Sequence, residues 1–99
     1  LPPIGKCARV VEWAKWAKSK NRLASAPRRG YLFFWLDEKD RGHIGFCLGE
    51  WTIGVVRTIE GNTNALGSRE GDMVAKRHRT KRDLSRRYMS GFINLEGIG

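Results

Sequence analysis

Tyr31-Leu32-Phe33-Phe34-Trp35-Leu36 is the longest apolar run in the chain, and its reading decides the fold. It is short, rich in aromatic residues, and bounded by Gly30 and the charged stretch Asp37 to Arg41. Those are the marks of a buried strand followed by a turn. Beyond Gly42, His43 to Leu48 predicts a second strand and Thr52 to Glu60 a third, with Gly49-Glu50-Trp51 between them. Gly61 to Asp72 holds three Gly and two Asn and predicts a loop. Met73 to Arg79 then predicts a fourth strand and Gly91 to Leu95 a short fifth.

Upstream of the apolar run the period changes. Val10, Trp13, Ala14 and Ala17 recur at helical spacing, with Cys7 and Val11 on the same side and Glu12, Lys15, Lys18 and Lys20 on the wet side. This predicts an amphipathic helix from Ala8 to about Lys20, stopped near Asn21, with Pro27 and Gly30 marking a loop. One helix followed by consecutive antiparallel strands is an α+β arrangement. A chain of 99 residues has room for a single domain, residues 1–99, and carries no internal repeat.

Composition narrows the partners. A hydrophobic fraction of 40% and a charged fraction of 29% exclude wholesale disorder. No apolar run approaches the length of a transmembrane segment. Nineteen Lys and Arg against ten Asp and Glu give a net charge of +9, so the chain is drawn to polyanions: nucleic acid, anionic lipid or cell-wall polymer. Much of that charge is local, in Lys76, Arg77, Arg79, Lys81, Arg82, Arg86 and Arg87. Only Tyr88 lies close enough to stack a base, so a solvated face is favoured over specific nucleic-acid binding. Two cysteines outside any CxxC pair make no disulfide framework.

The residues that could carry chemistry lie in the hairpin of the second and third strands. A turn centred near Trp51 sets His43 opposite Ile59 and Glu60, with Asn62 two positions on, where the chain leaves the sheet. An imidazole beside a carboxylate is the pattern of a general base and its orienting group, although a surface hydrogen bond gives the same pattern. Cys47 shares a face with His43, but four residues of strand put it roughly 13 Å away at about 3.3 Å each, so it reads as a small buried hydrophobe. Cys7, at a helix start, is the other thiol; the dipole there favours a thiolate, while its place on the apolar face favours packing. His43, Cys47 and His78 lack the count and spacing of a zinc site, Asp37, Glu38 and Asp40 lack an EF-hand pattern, and Gly61 to Gly71 lacks a P-loop signature. No metal and no cofactor are called for.

Several blocks taken in order resemble one family. Pro27-Arg-Arg-Gly30 with Leu32-Phe-Phe34, Gly42-His43-Ile44-Gly45, Thr58-Ile-Glu60-Gly-Asn62-Thr63, Gly71-Asp72-Met-Val74 and Arg77-His-Arg79 look like the CHAP family of cysteine- and histidine-dependent amidohydrolases and peptidases. The similarity runs from about Val10 to Ile93. It implies a papain-like fold, with an N-terminal helix packed on an antiparallel sheet of about five strands. It also implies a peptidoglycan hydrolase, amidase or endopeptidase, acting at the bacterial cell wall as a secreted or phage-associated protein.

By the same resemblance His43 matches the family's catalytic histidine, Glu60 the acidic residue that orients it, and Asn62 the polar residue beside them. The family's nucleophile is a cysteine opening a helix that precedes the one over Val10 to Ser19. The stretch from Cys7 to Gly30 holds one helix and a loop, not two helices, so the nucleophile is expected upstream of Leu1, with Cys7 as the alternative. Tyr31 departs from the family's usual Asp, and the stretch between Arg79 and Gly91 is longer and more basic than the pattern. The expected partner is peptidoglycan or another anionic wall polymer, and the expected state a monomer. A wall-binding domain without catalysis and a basic nucleic-acid module are the alternatives.

Overall fold

A computed structural model describes residues 9–62 and 73–97. Helix α1 (Val10–Ser19) is followed by strands β1 (Leu23–Ala24), β2 (Leu32–Leu36), β3 (Gly42–Cys47), β4 (Val55–Asn62) and β5 (Met73–Thr80), then helix α2 (Lys81–Ser85) and strand β6 (Met89–Ile93). The six strands form one sheet in the order β1-β6-β2-β3-β4-β5, and every pairing is antiparallel. The α+β class therefore holds, with six strands rather than about five. None of the described helices is long and apolar enough to cross a membrane.

β2 lies inside the sheet between β6 and β3, which explains its unbroken apolar sequence. Leu32, Phe34 and Leu36 face α1, where Ala14, Ala17 and Ile93 complete a first core. The small side chains of Ala14 and Ala17 let the helix lie close to the sheet, with Trp13 and Trp16 packed at its flanks. Phe33 points the other way, into a second core with Tyr31, Cys47, Val56, Leu84 and Phe92. α1 ends at Ser19 with Lys20 as its cap, and Asn21 takes the left-handed conformation that commonly follows a helix, matching the expected stop.

Two elements escape the sequence reading. β1 has only two residues, too few for a period. α2 sits within the basic stretch but carries a legible start: Thr80 Oγ1 accepts from the Asp83 amide, and the Asp83 carboxylate accepts from the Thr80 amide. Its Leu84 is buried in the second core, so the longer segment before Gly91 is a structural cover. It also draws the final strand back to Met89–Ile93 from the expected 91–95.

The third expected strand also needs correction. It begins at Val55 instead of Thr52, because residues 52–55 form a two-residue hairpin turn. The Thr52 and Val55 backbones exchange hydrogen bonds of 2.7 and 3.0 Å, while Ile53 and Gly54 have φ of 50° and 74°. At the other end β4 continues through Gly61 and Asn62, where a loop was expected; the rest of that loop, 63–72, lies outside the described residues.

Positive φ at both turn positions suits Asn-Gly and strains a β-branched side chain. Ile53 is 98% exposed and gains nothing from packing in return. Ile53→Asn is expected to stabilise the fold by about 1 kcal/mol. Equilibrium urea unfolding measures this, and an unchanged or lower midpoint would contradict the strain at Ile53.

Candidate functional site

His43 and Glu60 meet on the face of the sheet opposite α1. The His43 ring lies against Phe33 and Trp35, with centroids 5.9 and 6.0 Å away, and its Nε2 donates to Glu60 Oε1 at 2.6 Å. The expected partnership is present, but the register differs. Gly45, not His43, stands opposite Glu60, and the pairing continues as Phe46 with Ile59 and Cys47 with Thr58. The tight turn at Ile53 and Gly54 lies farther along the chain than the expected centre near Trp51, which slides β4 relative to β3.

Gly45 is what permits the diagonal contact. A Cβ there would stand 2.8 Å from Glu60 Cγ and 2.5 Å from a Phe33 ring carbon. With only hydrogen at that position, the Glu60 side chain crosses the surface of β3 and reaches the imidazole two residues away. The spacing of Gly42-His43-Ile44-Gly45 thus has a local cause.

Glu60 is 1% exposed, and its carboxylate is saturated by donors. Oε1 accepts from His43 Nε2 and from Arg79 Nη2; Oε2 accepts from Thr58 Oγ1 at 2.6 Å and from Arg79 Nε at 2.8 Å. Burial pushes the Glu60 pKa up, but the hydrogen bonds from Arg79, Thr58 and His43 together with the Arg79 charge outweigh it and lower the pKa to about 2. An ionised carboxylate only accepts, so Nε2 of neutral His43 carries the ring proton and Nδ1 presents the lone pair. A base oriented this way can take a proton at Nδ1 and return it, with the charge that forms stabilised by Glu60.

Thr58 and Arg79 are the members of this site to which the sequence reading assigned no role. Both stood inside quoted motifs, yet nothing in a linear string ties Arg79 on β5 to Glu60 on β4. The basic stretch is likewise divided by the fold. Arg79 turns to Glu60, the Arg87 guanidinium stacks 3.8 Å from the Trp35 ring, and Lys81 stands 5.4 Å from that of Trp51. Lys76, Arg77, Arg82 and Arg86 are exposed, and the first two lie in register with Ile59 and Thr58.

Cys47 stands four residues along β3 from His43. Cys47 is 1% exposed in the second core, and burial pushes its thiol up to about 12, as fits a packed side chain. Asn62 is paired through its backbone with Met73 at the end of β4; its side chain and all of Cys7 lie outside the described residues. Among the described residues no three His, Cys, Asp or Glu side chains gather as a metal site would require. A hollow of about 530 Å³ lies elsewhere, lined by Leu48, Glu50, Val55, Arg57 and His78 among others. His43 itself is 28% exposed, its ring set against the buried Phe33 and the half-buried Trp35.

No family model, no curated protein and no solved structure matches the chain. The geometry itself yields two expectations. Because the folded pKa of Glu60 is depressed, its contribution to stability is fully present above about 4.5 and is lost as pH falls toward about 2. Glu60→Gln should flatten that loss in urea titrations between these pH values, and an equally steep acid limb in the variant would contradict the assignment. In a Cys7→Ser background, Cys47 should resist alkylation in the native protein and react once urea unfolds it. Rapid native labelling would contradict its burial.

Proposed function

We propose that this chain is the histidine-bearing part of a CHAP-type peptidoglycan hydrolase with a papain-like arrangement. The observation that carries the reading is the His43–Glu60 pair: a partly exposed imidazole, 28% accessible, held through Nε2 by a carboxylate that is 1% accessible. A buried, donor-saturated carboxylate that fixes a partly exposed imidazole supports a base-orienting role. The order of the sequence blocks supplies the family.

In this proposal a cysteine thiolate attacks the amide carbon of a wall peptide or amide linkage. His43 Nδ1 accepts the thiol proton and passes it to the leaving amine, and water then resolves the acyl-enzyme. Glu60 holds the imidazole and stabilises its charged form, with Asn62 supporting the geometry. The thiol comes from a cysteine upstream of Leu1, with Cys7 as the alternative.

His43→Ala in the full parent protein is expected to reduce lysis of purified walls by about 10³-fold or more while far-UV dichroism stays native. Glu60→Gln should cost about 10²-fold, and Cys7→Ser should leave most activity intact. Undiminished lysis by a folded His43→Ala variant would overturn the reading. Loss of lysis on Cys7→Ser would instead make Cys7 the nucleophile.

The exposed cations suit an anionic wall polymer as partner. Sedimentation of the protein with walls should weaken as salt rises, since exposed charges are screened over about 10 Å at roughly 0.1 M. Replacing Arg77, Arg82 and Arg86 by Gln should reduce retention with little effect on a small soluble substrate. Binding indifferent to salt would leave these residues as solvated surface only.

A further inference from the structure

We propose that Arg79 is a positioning residue that sets the proton affinity of His43 through the carboxylate they share. Arg79 binds both oxygens of Glu60 through Nε and Nη2, and Nη2 meets the same Oε1 that accepts from His43. The planar guanidinium fork fixes the plane of the carboxylate, and with it the direction in which Oε1 receives the imidazole proton. The fork is itself held in place, 24% exposed and 6.0 Å from the Phe33 ring centroid, over the same aromatic floor that His43 touches.

The electrostatic consequence has a definite sign. An unaccompanied buried carboxylate beside His43 would strongly favour the imidazolium. A guanidinium bonded to both oxygens spreads that negative charge and places a positive charge near the ring. Both effects lower the affinity of His43 for its second proton. Among the described residues, the other groups set against the ring are Phe33 and Trp35 from β2, both uncharged, while Thr58 from β4 meets only the far oxygen of Glu60. Arg87 adds a cation on Trp35, and Asp83 an anion whose charge acts on Arg79. Among the described residues, Arg79 is the cation bonded to the Glu60 side of the pair.

The proposal deepens the hydrolase reading, because it makes Arg79 the residue that tunes its base, but its test is independent of lysis. Ring-proton NMR titration of the 99-residue chain, with His78→Gln used to assign the two histidines, follows His43 directly. The coupled pair is read as a single midpoint. Arg79→Gln is expected to raise that midpoint by about one pH unit. Arg79→Lys keeps a charge but cannot bridge both oxygens, so its midpoint should fall between those of the wild type and Arg79→Gln. A folded variant whose midpoint stays within about 0.3 of wild type, or falls, overturns the proposal. Should Arg79→Gln fail to fold, Arg79→Lys decides by the same criterion. In the parent protein the pH profile of lysis should move with the titration. A titration that shifts while lysis does not leaves Arg79 as the tuner of His43 and removes the hydrolase role of His43.

Discussion

A single buried carboxylate organises half of this molecule. Glu60 sits on β4 with His43 on one side and Arg79 on the other, so its two oxygens join β3, β4 and β5. A charge removed from water must be repaid by donors, and the protein supplies them from three strands, including Thr58 on β4 itself. The space for this arrangement exists because Gly45 has no side chain, and the floor beneath it is Phe33, buried in the second core. Polar site and apolar packing are therefore one construction. Moving any of these groups exposes or orphans another.

The two faces of the sheet divide the work. On one, α1 lays Ala14 and Ala17 against Leu32, Phe34 and Leu36, a contact of small against large that stabilises without bearing chemistry. On the other, α2 covers only part of the sheet, through Leu84, and leaves the end that carries His43 accessible. The polar cluster is thereby held on rigid strands rather than on loops. The cations show the same economy. Arg79 is drawn onto Glu60 and the exposed Arg87 lies over Trp35, while Arg82 and Arg86 remain at the surface.

Much of this could be read from the string. An aromatic run between a glycine and a charged turn has few uses other than a central strand, and β2 is buried on both faces as that composition demands. The helical period of Val10, Trp13, Ala14 and Ala17 survives as α1, because alternating apolar and charged faces have one way to meet a sheet. The pairing of His43 with Glu60 was also legible, since strand period and hairpin connection bring their side chains to one face. Thr80 and Asp83 held the signal for α2, hidden by the charges around them.

What the chain could not disclose was register and reach. The offset between β3 and β4 depends on where the hairpin turns, and that place is set by Ile53 and Gly54 adopting a conformation which an isoleucine does not advertise. Nor does a sequence show that β5 returns beside β4, or that an arginine in a basic stretch leaves its neighbours to bind Glu60. Local patterns are governed by period and composition and so are written along the chain. The partners of a buried charge are chosen by strand pairing between distant segments, and only the folded sheet brings those segments together.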